Sequence, residues 1–254
     1  MKSLRVGLSS VLLLLCHAKA FATWSVIVLD AKTKTIGVAG ASCTNEVSGI
    51  AKIITGKGAI VAQAYSDDGV TKRGVERLSK GASPAEILQT LQDVTFDKEL
   101  SSRQYGIVTF AHYANPAAFT GKDISADGNS ATATSPGVSV QGNTLASQNV
   151  VAEVHKAIIA ARQANRPIED ILISALEVGS EFGGDRRCGL QTATTAFLQV
   201  VGSKDNVCST LLLRTGGIEQ GGASATKVIR RELDRLRSAA AHNKCLEVFV
   251  VPKD

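Results

Sequence analysis

AFATWSVIVLDAKTKTIGVAGASC, residues 20–43, decides how the rest of the chain is read. Trp24 to Asp30 alternate and carry β-branched residues, the pattern of a strand. KTKT is a polar turn, and IGVAGASC reads as a second strand that pairs with the first as a hairpin. Thr23 stands directly after Ala20-Phe21-Ala22, whose small residues occupy the positions a signal peptidase reads. A cut there makes Thr23 the first residue of the mature chain. An interior threonine is a poor nucleophile, but a terminal one carries its own base, the α-amino group, beside its hydroxyl.

The segment before Thr23 has the parts of a secretory signal. Lys2 and Arg5 form a positive n-region, Val6 to Cys16 a short apolar stretch, and His17 to Ala22 a more polar tail. That is too short for a membrane span. Ala18-Lys19-Ala20 offers a second cut, which would leave Phe21 and Ala22 ahead of Thr23. Leu15 argues against a lipoprotein anchored through Cys16, because a small residue is wanted there. The reading is a periplasmic or secreted protein without stable membrane insertion. Fold reasoning then concerns 232 of the 254 residues, enough for one domain with a full core.

Removing Lys2, Arg5 and Lys19 with the signal lowers the net charge from +5 to +2. That balance, with 4% aromatic residues, argues against a nucleic-acid partner. The basic run KVIRRELDRLR, 227–237, is interleaved with acids and reads as the solvated face of a helix. Cys43, Cys188, Cys208 and Cys245 remain after the cut, so an oxidising compartment allows up to two disulfides in three connectivities. No C-x-x-C occurs and the histidines lie far apart, so neither a metal nor another cofactor is expected.

Further strands are expected in GAIVAQAYS, RQYGIVTF, AAFTG, SVQGNTLAS, TATTAFLQVVG, STLLLRTG and CLEVFVV. Helices are expected in VTKRGVERLSKGASPAEILQTLQDV, which Gly81 and Ser83-Pro84 divide in two, in 149–163, in 168–184 and in 224–240. DISADGNSATATSPG, 123–137, reads as a mobile loop. Strands and helices are grouped rather than strictly alternating, which indicates an α+β sandwich of antiparallel sheet with helices on its outer faces.

Five stretches in order carry a family resemblance: TWSVIVLD with IGVAGAS, VAQAYS before GASPAEILQTL, RQYGIVTF with AAFTG, SVQGN, and GGDRR followed by Q-T-A. On these the chain resembles a family of Ntn-hydrolase-like proteins of unassigned function, from Thr23 to about residue 201. The resemblance implies a four-layer αββα sandwich of the Ntn-hydrolase type. With it comes a division into the domain 23–202 and a C-terminal extension, 203–254, packed on the same domain.

The resemblance also implies a site. Thr23 would be nucleophile and base together. Asn143 would donate to the oxyanion, or else stabilise its own turn. Asp185 would accept from the terminal ammonium and Arg186 would hold an anionic substrate group, or the two would form a structural ion pair. Arg187 is expected to face solvent. Cys188 stands where the family has glycine, and a disulfide there would rigidify the turn. Gln63 and Tyr65, one residue apart in VAQAYS, would share one strand face and line a pocket for a small-molecule substrate, or else be partly buried polar groups satisfied by neighbouring backbone. Ser25 shares the face of Thr23. No G-x-S-x-G elbow supports a Ser-His-Asp triad. The leading reading is an exported hydrolase of amide-like C–N bonds other than ordinary peptide bonds. Its rival is a non-catalytic exported binding or assembly protein that keeps the fold. Association into a homo-oligomer is left open.

Overall fold

The hairpin read from residues 23–42 forms the middle of a sheet. β1 (Thr23–Asp30) pairs with β2 (Thr35–Ser42) in a register that sets Thr23 opposite Ser42 and Asp30 opposite Thr35. The structure is a computed structural model that describes residues 23–126, 129–203, 210–238 and 246–250. The segment read as a signal, 1–22, lies outside the described residues, as do Cys208 and Cys245.

After the hairpin come β3 (Ala51–Ile54), β4 (Gly58–Ala64), α1 (Asp68–Ser79), α2 (Pro84–Leu91), β5 (Arg103–Thr109), β6 (Ala117–Thr120) and α3 (Lys122–Ala126). The rest is β7 (Ala131–Ser135), β8 (Val138–Asn143), α4 (Asn149–Gln163), α5 (Ile168–Glu181), β9 (Thr195–Val201), β10 (Thr210–Thr215), α6 (Ala225–Ser238) and β11 (Leu246–Phe249). One sheet has the order β11-β10-β9-β2-β1-β8-β7 and the other β3-β4-β5-β6. Among the described residues, every strand pairing is antiparallel except that of β10 with β11.

The alternation of β1 explains why both of its faces are buried. Trp24, Val26 and Val28 point outward into a cluster with Leu172 and Leu176 of α5, Val154 of α4 and Ile229 of α6. Ile27 and Leu29 point the other way, against Ala59 and Val61 of β4 and Val108 of β5. The outer face of the second sheet, through Ile60, Ala62 and Ile107, packs on Leu78 of α1 and on Ile87 and Leu91 of α2. Each valine, leucine or isoleucine side chain among these contributes roughly 1.5–3 kcal/mol when fully buried. The fold is mixed α+β, with two sheets and helices packed against them.

Local signals act as the sequence implies. Ser83 caps α2 in a reciprocal capping box with Glu86, and Pro84 opens the helix. Gly183 and Gly184 end α5 with φ of 99° and 54°. A Cβ at Gly184 would meet the Thr192 carbonyl oxygen at 2.8 Å, so that turn requires glycine. The basic run in α6 is paired: Arg230 with Glu177 at 2.6 Å and Arg237 with Asp170 at 2.6 Å. Residues 210–215 and 225–238 lie beside and over β9, joining the first sheet and its outer cluster.

Three expectations are corrected. Residues 123–137 are not one loop, because most of α3 and all of β7 fall among them. The Ala-Thr alternation of β7 sets Ala131 and Ala133 against the core and Thr132 and Thr134 outward. β3, a half-buried strand of four residues, was not anticipated. Gln63 and Tyr65 do not share a strand face, because β4 ends at Ala64 with φ of 67° and Tyr65 lies beyond it. The Tyr65 N–H instead donates to the Ser102 carbonyl at 3.2 Å, and burial raises the pKa of its phenol. Among the described residues, no helix is long and apolar enough to cross a membrane.

Candidate active site

Strand register brings Thr23 between two polar neighbours. It lies opposite Ser42 on β2 and opposite Asn143 on β8, so the three side chains form a row across the sheet. The next row on that face is Gly40, Ser25 and Gln141. Across the gap, β4 and β5 present Gln63 opposite Gln104. This end of the inter-sheet space is therefore polar, although Thr23 is only 2% exposed and Asn143, Ser25, Gln104 and Gln141 are fully buried.

Buried amides must find partners, and here they bond one another. The Thr23 hydroxyl donates to Ser42 Oγ at 3.3 Å. Gln63 Nε2 donates to Gln104 Oε1 at 2.7 Å, and lies 3.1 Å from Asn143 Oδ1 and 3.2 Å from the Thr23 carbonyl. Ser25 donates to Gln63 Oε1 at 2.5 Å and accepts from Gln141 Nε2 at 2.7 Å. Gln104 Nε2 donates to the Gly142 carbonyl at 2.9 Å. Gly106 on β5 leaves room for this layer, since a Cβ there would collide with Gln141 Oε1.

The turn after α5 closes the end of the sheet where β1 begins. Asp185 is fully buried. Its carboxylate accepts from the Cys43 N–H at 2.6 Å, just beyond Ser42. It also accepts from the Arg187 N–H at 2.9 Å, from Arg187 Nε at 3.1 Å and from Arg187 Nη2 at 2.7 Å. Four N–H groups on two oxygens match the acceptor capacity of a carboxylate. Arg187, expected to face solvent, is instead the ion-pair partner of Asp185. The reason is the 3-10 turn Arg186–Gln191, for which Asp185 is the N-cap, so the Arg187 side chain folds back on it. Arg186 is exposed, and its N–H donates to the Thr144 carbonyl at 3.3 Å, next to Asn143.

A disulfide between Cys43 and Cys188 joins the same two segments, with Cα atoms 5.7 Å apart. The expected bridge is thus present and it rigidifies the expected turn. Backbone strain gathers here as well. Ala64, Thr144 and Thr192 adopt φ of 67°, 51° and 67°. They follow Gln63, follow Asn143 and accept from the Asp185 N–H, respectively. Such conformations cost of order 1–3 kcal/mol each and cluster at functional sites.

A pocket of about 390 Å3 opens beside Thr23, lined among others by Thr44, Asn45, Glu46, Gln63 and Ser66. Its walls are the loop after β2 and the end of β4. The sequence reading missed Ser42, Gln104, Gln141 and Glu46. The first three carried a signal: polar residues at inward positions of otherwise apolar strands.

The family model described as "Family of unknown function (DUF1028)" matches residues 23–219. No curated protein matches. Among solved structures, protein SPO2555 from Silicibacter pomeroyi, itself described under DUF1028, is similar with a TM-score of 0.67 and 19% identity, over 85% of this chain and 86% of that one. Anbu (Gly-1 mutant) from Hyphomicrobium sp. strain MC1 is similar at a TM-score of 0.40 and 12% identity, over 89% and 100%. Anbu (ancestral beta-subunit) from Yersinia bercovieri gives 0.40 and 11%, over 89% and 99%. The SPO2555 likeness concerns the fold alone; the family match covers well over half of the residues, and on it the chain belongs to the DUF1028 family of unknown function.

Proposed function

We propose that the chain is an exported Ntn-type hydrolase, a four-layer αββα sandwich that cleaves an amide-like C–N bond with Thr23 as its N-terminal nucleophile. The observation that carries the reading is the position of Thr23. It follows the A-x-A sequence Ala20-Phe21-Ala22, begins the family match, starts a central strand and borders a pocket. Three separate apolar clusters, two against helices and one between the sheets, support the four layers. The Cys43–Cys188 disulfide supports export to an oxidising compartment.

In this reading the Thr23 hydroxyl oxygen attacks the substrate carbonyl carbon. The free α-amine, with an ordinary pKa near 8, takes the hydroxyl proton and passes it to the leaving nitrogen as the C–N bond breaks. Water, deprotonated by the same amine, then hydrolyses the ester on Thr23. Asn143 lies directly across from Thr23 and donates to the oxyanion, with its amide oriented through Gln63. Asp185, its acceptor positions filled by Cys43 and Arg187, serves as a positioning group that ties the end of β2 to the turn. That same engagement is what favours the second reading, a non-catalytic exported binding or assembly protein.

A β-lactone probe separates the two. The exported protein should form one covalent adduct, on Thr23, and Thr23→Ala should form none. Equal labelling of Thr23→Ala would move the nucleophile elsewhere. No adduct across several probe classes, on a chain that begins at Thr23, would favour the binding protein.

A further inference from the structure

We infer that the pocket beside Thr23 selects substrates whose acyl portion is short and carries a cationic group; this rests on the acyl-transfer reading above. The volume of about 390 Å3 is at the small end of the roughly 300–1,000 Å3 usual for ligand pockets. Among the described residues its polar lining is neutral, from Thr23, Thr44, Asn45, Gln63 and Ser66, with Glu46 as the one ionisable side chain. Among the described residues, no basic side chain lines it. The α-amine of Thr23 is neutral whenever it acts as the base.

Glu46 is held in place rather than left to wander. Its Oε1 accepts from the N–H groups of Val47 at 2.9 Å and Ser48 at 2.6 Å. Its Oε2 has Arg214 Nη1 as a distant partner at 3.9 Å. Arg214 is closer to a second carboxylate, Glu247, at 3.2 Å. Two carboxylates share one guanidinium, so the pocket side keeps a surplus of negative charge. An ammonium or guanidinium entering the pocket meets an oriented carboxylate, whereas an anionic group meets a like charge with no lining cation. Arg186 does not line the pocket; it is exposed, and its N–H donates to the Thr144 carbonyl on the β8 side.

Three β-lactones, alike except for an aminoethyl, a propyl or a carboxyethyl arm, test the inference through the rate of Thr23 acylation read by intact mass. Each adduct forms by ring opening, with the Thr23 oxygen bonded to the carbonyl carbon and the proton delivered to the released alkoxide. Glu46 is about half exposed, so each step in the series should change the rate about fivefold, cationic fastest and anionic slowest. In Glu46→Gln, which retains an acceptor oxygen for Val47 and Ser48, the spread should collapse to about twofold. In Arg214→Met, which removes the shared cation, it should widen. Acylation of Thr23 without a cationic preference, or with a preference that survives Glu46→Gln, would overturn the inference and leave the nucleophile standing. Failure of all three probes to acylate a chain beginning at Thr23 would overturn both.

Discussion

At one end of the space between the sheets, Ile27, Leu29, Ile36 and Val38 face Ala59, Val61 and Val108. At the other end, Thr23, Ser25 and Ser42 of the same hairpin and Gln141 and Asn143 of β8 face Gln63 and Gln104. Both ends are buried, and β1 crosses from one to the other in eight residues. The apolar end needs only volume and shape. The polar end needs every donor matched to an acceptor, and a half-satisfied network is worse than an apolar one. Such a layer, with left-handed residues at its rim, fixes specific groups in specific places.

The sharpest way to break this contrast is at the apolar end. Leu29→Ala leaves a cavity and should lower stability by about 4 kcal/mol in denaturant unfolding. The rate at which the folded protein is acylated at Thr23 should stay within about twofold. A large loss of labelling in folded Leu29→Ala would show the two ends to be one unit.

The next effect is at the closed end of the sheet. The Cys43–Cys188 bridge spans 145 residues of chain. Its removal in a Cys43→Ala, Cys188→Ala double variant should cost about 3 kcal/mol. It should also slow labelling, because Ser42 and the pocket loop lose their tie to the Asp185 turn. Lost stability with an unchanged labelling rate would make the bridge a staple with no bearing on the site.

A smaller effect is expected within the network. Gln63→Met conserves volume but removes the groups facing Ser25 Oγ, Gln104 Oε1 and Asn143 Oδ1. Stability should fall by about 2 kcal/mol, since buried partners lose a bond each. Labelling should slow about tenfold as Asn143 loses its orientation. A neutral effect on both would reduce the polar end to ordinary core.

These contrasts were partly visible in the chain itself. The hairpin, the helices at 149–163 and 168–181 and the capped α2 declare themselves through period and caps. β7 hides because alanine and threonine alternate too quietly to look like a strand, and β3 because it is short and half exposed. Thr23, Asn143 and Gln63 were legible as motif residues, and strand register brings them together. Asp185 with Arg187 was not legible, because a 3-10 turn brings residues two apart into contact in a way neither helix nor strand spacing anticipates. The pairing of Cys43 with Cys188 was one of several connectivities until the fold brought β2 to the turn.

The mildest effect concerns pH. The hydrogen-bonded network of Ser25, Gln63, Gln104, Gln141 and Asn143 holds no ionisable side chain, so acid sensitivity must arise elsewhere. His155, with its Nε2 at 3.0 Å from Ser135 Oγ, has its pKa pushed below 6.5 by burial. A lowered histidine pKa means the unfolded chain takes up the proton first. Its contribution is therefore intact above about pH 6.5 and is lost as the pH falls below that value through the folded pKa. Unfolding midpoints measured across that window should fall on acidification, and less so in His155→Gln. Equal slopes in both proteins would remove His155 from the account.

The central claim is that Thr23 is both the first residue of the exported chain and the residue that reacts. Tandem mass spectrometry of the N-terminal peptide, taken from exported protein after exposure to a β-lactone, reads both facts at once. The account expects a peptide that begins at Thr23 and carries the probe mass on the Thr23 oxygen. A peptide beginning at Phe21, or an adduct on any other residue while Thr23 is free and terminal, would contradict it.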